Sequence, residues 1–155
     1  TSLIQCTIYF RYYLNQALKA SGLGDQFLDN LQIWRDQMAL GLTTWAEMPE
    51  PSRSDCHAWG ASPNIEFYRI LLGIDSDAPG FRKIRIAPSL GKLKEVSGTI
   101  PHPLGSVTAA YKLNERGEGT ARLVLPEGTT GIFIWDGKEI PLKPGEQVIS
   151  LSSRH

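Results

Sequence analysis

The stretch Gly131-Ile132-Phe133-Ile134-Trp135-Asp136-Gly137-Lys138 decides the fold of the second half of this chain. Residues 131–135 are rich in β-branched and aromatic side chains, which suit a pleated, half-buried surface. Asp136-Gly137 then supplies the pair that a two-residue hairpin turn demands, because both central positions need a positive φ. A period of two recurs in Arg82-Lys83-Ile84-Arg85-Ile86, in residues 105–111, in Ala121-Arg122-Leu123-Val124-Leu125 and in Gln147-Val148-Ile149-Ser150-Leu151. Turn signals separate these runs at Leu90-Gly91, Pro103-Leu104-Gly105, residues 114–117, Pro126-Glu127-Gly128 and Lys143-Pro144-Gly145. Roughly six to eight short strands at this spacing predict an antiparallel β-sandwich. Tyr111 and Trp135 fit its core-facing alternation, and either could instead form an exposed aromatic platform.

Before about residue 75 the period is helical. Leu3, Thr7, Phe10, Leu14 and Ala17 follow a three–four spacing, with Gly22 as the stop. Asp25 is a candidate N-cap for a second helix whose stripe is Phe27, Leu31, Trp34 and Met38, ended by Gly41. Ser62-Pro63 reads as an N-cap followed by Pro at the first helical position, with Ile65, Tyr68 and Leu72 as the stripe and Gly73 as the end. The first helix is apolar on several sides, through Leu3, Ile4, Ile8, Phe10, Tyr12, Tyr13 and Leu14. That excess implies missing neighbours and favours self-association or a covering partner. The cluster of Asp, Ser, Pro and Gly in residues 75–80 marks a boundary between helical residues 1–77 and strand-rich residues 78–155.

The chain has 155 residues, of which 41% are hydrophobic, so a packed core is expected. Lys plus Arg and Asp plus Glu both number 16, and the zero formal charge argues against a nucleic-acid binder, which needs a basic face. No run approaches the roughly eighteen apolar residues of a membrane span, so no membrane partner is expected. No phosphate loop or dinucleotide fingerprint is present. Cys6 and Cys56 are too few for a disulfide scaffold, and Cys6 reads as a small core residue. His102 and His155 have no companions at metal-ligand spacing, so neither a metal nor another cofactor is expected. The chain starts inside an amphipathic pattern, which suggests a piece of a longer protein.

Between the helical patterns lies Thr43-Thr44-Trp45-Ala46-Glu47, followed by Arg53-Ser54-Asp55-Cys56-His57-Ala58-Trp59-Gly60. Loops that mix acid, imidazole and indole suit polar-ligand sites, because a loop can aim side chains into a cleft. Glu47, near Trp45, is a candidate general acid or base. His57 could donate to a substrate hydroxyl or brace the next helix. Trp45 and Trp59 could each present a flat face to a sugar or bury in the core. Arg53 and Asp55 are close enough to pair locally. A surface loop that caps two helices is the simpler alternative.

These two motifs, with Leu71-Leu72-Gly73-Ile74, Ala78-Pro79-Gly80-Phe81, Ile86-Ala87-Pro88 and residues 98–105, occur in an order that resembles the C-terminal part of bacterial α-L-rhamnosidases of glycoside hydrolase family 78. The resemblance implies an α+β fragment: residues 1–77 as the last helices of an (α/α)6 catalytic barrel, residues 78–155 as an antiparallel β-sandwich. It also implies an inverting hydrolase acting on rhamnose-containing glycosides, without a cofactor. Glu47 matches the general base that closes the Thr-Thr-x-x-Glu motif, and His57 matches a sugar-contacting His. Trp45 and Trp59 would join His57 in substrate binding. The general acid belongs to an acidic motif upstream, which this chain does not contain. The fragment is therefore expected to be inactive without the N-terminal part of the same enzyme. Cytoplasmic, periplasmic and secreted locations in a bacterium stay equally open.

Two other readings use the same residues. One is a non-catalytic carbohydrate-binding or structural β-sandwich module, with Trp135 or Tyr111 as the platform. The other is a different (α/α)6 glycosidase or phosphorylase. A phosphorylase needs no activating base, because phosphate itself attacks, so Glu47 in the base position disfavours it.

Overall fold

A computed structural model describes residues 5–153. Leu3, Ile4 and His155 lie outside the described residues. The chain divides into two compact units, Thr1–Phe67 and Tyr68–His155.

In the first unit, α1 (Ile8–Ala20) begins at Thr7, whose Oγ1 accepts the Phe10 N–H at 3.3 Å. Thr7 is thus a cap and not part of the apolar stripe. The buried face is Ile8, Arg11, Asn15 and Leu18, while Phe10 and Ala17 are exposed. Cys6 precedes the helix and is an exposed thiol, not a core residue. The end of α1 needs glycine. Gly22 has φ +77°, the Leu23 N–H donates to Leu18 O at 2.8 Å, and the Gly22 N–H donates to Lys19 O at 3.2 Å. This pair of bonds is a Schellman stop, and Gly41 repeats it after α2 (Gln32–Ala39).

The second helix is shorter than the spacing predicts. Residues Gly24–Gln26 and Leu28–Leu31 form 3-10 turns, and Asp25 lies inside the first of them instead of at a cap. Phe27, Leu31 and Trp34 are buried as the stripe requires, but Met38 is exposed. A third helical run has a 3-10 turn at Ala58–Ala61, α3 (Pro63–Glu66) and a π-turn at Phe67–Leu71. Ser62 has helical φ and ψ and makes no side-chain capping bond, so Pro63 continues a turn already begun.

The second unit holds two four-stranded sheets. One has the order β1 (Ile74–Ser76), β2 (Lys83–Ile86), β6 (Thr130–Trp135), β7 (Lys138–Leu142); the other has β3 (Glu95–His102), β4 (Gly105–Leu113), β5 (Gly119–Leu125), β8 (Gly145–Leu151). Strand pairing thus starts at Ile74, ahead of residue 78. All pairs are antiparallel except β2 with β6, which are parallel. The sandwich is therefore not wholly antiparallel. No hairpin links β2 to β6, so no tight turn dictates their relative direction. Asp136 (φ 49°) and Gly137 (φ 71°) form the expected β6–β7 turn, with Trp135 opposite Lys138.

The core lies between the sheets. Ile84, Ile86 and Phe133 fill it from one side, and Val107, Ala109, Tyr111, Ala121, Leu123 and Leu125 from the other. Large faces small across β4 and β5: Tyr111 is opposite Ala121, and Leu123 is opposite Ala109. The Tyr111 hydroxyl donates to Leu72 O, and Trp135 Nε1 donates to Ser152 O, each at 2.8 Å. Both rings are buried, so neither serves as an exposed platform. Leu72, expected on the third helical stripe, belongs to this core. Gly73 (φ +75°) makes the bend: a β-carbon there would lie 2.2 Å from the Ala87 carbonyl carbon. On the surface, Arg122 grips Glu146 and its hydrogen bonds hold that carboxyl below the usual carboxylate range. Such a pair lends stability at neutral pH that is lost as pH falls through the depressed value, and its exposure keeps the contribution small.

His102 has a structural role. Its Nδ1 accepts the Leu104 N–H at 3.1 Å, so the proton sits on Nε2, which donates to Phe81 O at 2.8 Å. Phe81 has φ 59°, a left-handed conformation that a bulky residue holds only under constraint. Replacing His102 by Ala removes both bonds. We expect a loss of about 1–3 kcal/mol, read as a lower urea midpoint at unchanged slope. An unchanged midpoint would show that the Pro79–Phe81 turn holds itself.

Candidate functional site

The site segment, residues 43–59, is a loop folded back on itself. The His57 N–H donates to Trp45 O at 2.7 Å, and the Glu47 N–H donates to Ser54 O at 2.8 Å. Thr44 Oγ1 also donates to Asp55 O. The loop is anchored below by Gln37 of α2, whose Oε1 accepts the buried Ala46 N–H at 2.8 Å. Gln37 lies three residues after Trp34, so both face the same side of α2. A polar residue at a position of the apolar stripe was the available signal for this anchor.

Pairing Glu47 with Ser54 brings Arg53 beside Glu47. The guanidinium grips the carboxylate through both oxygens: Nε donates to Oε2 at 3.2 Å, and the NH2 nitrogen donates to Oε1. The Glu47 side chain is 21% exposed and that of Arg53 74% exposed. Arg53 therefore pairs with Glu47 and not with Asp55. A fork on two oxygens fixes the plane of a carboxylate, which a single contact does not.

His57 and Trp59 lie together, ring edge to ring face, with centroids 5.1 Å apart. Trp59 in turn lies 4.5 Å from the Tyr9 ring of α1, and the Tyr9 and Tyr13 hydroxyls are 3.2 Å apart. That hydrogen bond, then the charge of Tyr9, holds the Tyr13 phenol above its usual range. Tyr9, Phe10, Tyr13 and Trp59 are all exposed, forming an aromatic surface that the helical spacing alone did not single out.

Trp45 belongs to a different environment. It is partly buried and lines an apolar cavity of about 300 Å³ with Leu31, Trp34, Met38, Pro63 and Phe67. Gly60 makes this packing possible, because a β-carbon on it would lie 2.2 Å from Trp45 Cβ. The Gly60 carbonyl also accepts the Trp34 indole N–H at 2.7 Å. The four candidate residues are thus tied by one loop backbone but distributed as Glu47 with Arg53, His57 with Trp59, and Trp45 in the apolar cavity. Among the described residues no group of three or more His, Cys, Asp or Glu could hold a metal, and no helix is long and apolar enough to cross a membrane.

Residues 73–147 match the family model described as Bacterial alpha-L-rhamnosidase C-terminal domain. Among solved structures, the native α-L-rhamnosidase of Aspergillus terreus superposes with a TM-score of 0.81 at 19% identity, covering 93% of this chain and 19% of that one. The GH78 family rhamnosidase of Bacillus sp. GL1 matches with a TM-score of 0.70 at 25% identity, over 82% of this chain and 16% of that one. The Streptomyces avermitilis α-L-rhamnosidase, solved in complex with L-rhamnose, matches with a TM-score of 0.59 at 20% identity, over 78% and 14%. The chain spans less than a fifth of each of these proteins. No curated protein sequence matches.

The Gly60–Trp45 approach leaves no room for a methyl group. Gly60→Ala is expected to lower stability by about 1–3 kcal/mol and to change tryptophan fluorescence, since Trp34 and Trp45 both pack on this residue. A variant with unaltered melting temperature and emission spectrum would contradict the packing described.

Proposed function

We propose, from the match of residues 73–147 to the α-L-rhamnosidase C-terminal domain model, that the chain is the C-terminal part of an inverting family 78 glycoside hydrolase that releases L-rhamnose from α-L-rhamnosides. The family match is the observation that carries this reading. In it, the helical unit is the end of an (α/α)6 barrel. The exposed Tyr9, Phe10 and Tyr13 of α1 support that view, because barrel helices bury such faces against preceding helices. The N-terminal part of the same enzyme would cover them and supply the general acid.

Glu47 is the general base. Inversion requires one carboxylic acid to protonate the leaving oxygen and one carboxylate to take a proton from water on the opposite face of the sugar. The water oxygen bonds to the anomeric carbon as the glycosidic bond breaks. The departing oxygen takes its proton from the acid, and Glu47 keeps the proton of the water. His57 contacts the sugar hydroxyls. Trp59, exposed beside His57, offers an apolar face to the ring, and Trp45 shapes the wall from within. A non-catalytic sugar-binding sandwich is disfavoured because its two candidate platform residues are buried.

In the full-length enzyme, Glu47→Gln should lower kcat by roughly 10²–10⁴-fold with little change in KM, the usual worth of a general base. Azide needs no base, so it should restore turnover of an activated rhamnoside and give the β-rhamnosyl azide. Near-normal hydrolysis would end the base assignment, and an α-azide product would indicate retention. The 155-residue chain alone should not turn over an aryl α-L-rhamnoside; activity in a preparation free of full-length enzyme would overturn the division of the catalytic pair.

A further inference from the structure

We propose that Arg53 is a positioning residue for hydrolysis, fixing the Glu47 carboxylate in the plane from which it takes the proton of water. The inference rests on Glu47 being the base. Three observations carry it. Arg53 holds both carboxylate oxygens, through Nε and an NH2 nitrogen. The carboxylate is largely withdrawn from solvent, with 21% of the side chain exposed. Arg53 itself is placed by backbone, since Ser54 O accepts the Glu47 N–H and the Ser52 hydroxyl donates to the same carbonyl at 2.9 Å.

Each oxygen of a carboxylate has two in-plane lone pairs, and a general base works only when one of them points at the proton to be removed. A glutamate on a loop can swing about three side-chain torsions. An arginine fork removes that freedom and leaves the outer lone pairs for water. Lysine would supply the same charge through one point contact, without fixing the plane. Arg53 can fill this role although its side chain is exposed. An exposed ion pair adds little to stability, but a small displacement of a catalytic group costs much in rate.

The test uses the full-length enzyme and an activated α-L-rhamnoside, comparing Arg53→Met, Arg53→Lys and Glu47→Gln. Arg53→Met should lower kcat for hydrolysis by about 10–100-fold, leave KM within about twofold, and leave the melting temperature unchanged. Arg53→Lys should recover part of the loss. With azide as nucleophile, Arg53→Met should form the β-rhamnosyl azide at least as fast as Glu47→Gln does, because the misplaced base is no longer needed. Two results would overturn the inference while sparing the base assignment: an unchanged kcat in Arg53→Met, or a raised KM with the azide reaction lost in step, which would make Arg53 a loop latch only. Near-normal hydrolysis by Glu47→Gln would remove the base assignment and this inference together.

Discussion

Two main-chain hydrogen bonds organise the candidate site: His57 N–H to Trp45 carbonyl, and Glu47 N–H to Ser54 carbonyl. A loop with two prolines, Pro49 and Pro51, has no helix or sheet ladder to satisfy its backbone. These rungs and the Thr44–Asp55 bond give it one. Everything chemical about the segment follows from that folding back. It sets Arg53 against Glu47, turns His57 toward Trp59, and leaves Trp45 pointing into the apolar cavity over Gly60. The anchor is a single buried amide, Gln37, which takes the Ala46 N–H from the middle of the loop.

The sandwich rests on a simpler rule. Side chains of alternate residues fill the space between sheets, and bulk on one strand is met by a small residue on its neighbour. Tyr111 against Ala121 and Leu123 against Ala109 show the rule at adjacent positions. The polar tips of the two largest core rings are then satisfied by carbonyls, at Leu72 and Ser152. A buried hydroxyl or indole N–H without such a partner would cost about as much as a lost hydrogen bond.

The strand half was legible in the sequence because its signals are local. Period two, regular turn residues and Asp136-Gly137 each act within a few positions, and the hairpin formed where they indicated. Direction was not legible for β2 and β6, since their pairing depends on a route through three other strands. In the helical half the stripe Phe27, Leu31, Trp34 was readable, yet Thr7 reads as a stripe residue and is the cap of α1: a threonine at a helix start fits both by spacing alone. The loop residues of interest were readable as a set. Their grouping was not, because Arg53 finds Glu47 through a backbone pairing that no side-chain pattern announces. Gly60 was visible only as a letter in a motif; its reason, the 2.2 Å approach to Trp45, exists only in three dimensions.

The parallel pair of β2 with β6 bears on the order in which the second unit assembles. The β3–β4, β4–β5 and β6–β7 pairs close short hairpins, whereas Lys83–Ile86 meets Thr130–Phe133 only after a loop of about forty residues is closed. Chain entropy grows with the logarithm of loop length, so that closure starts at a disadvantage of roughly 2–3 kcal/mol relative to a tight hairpin. The β3–β4–β5 meander between the two strands shortens the effective distance once it has folded. Ile84 and Ile86 then find a ready apolar surface, and the nonlocal pairing becomes a late, cooperative step instead of a nucleus.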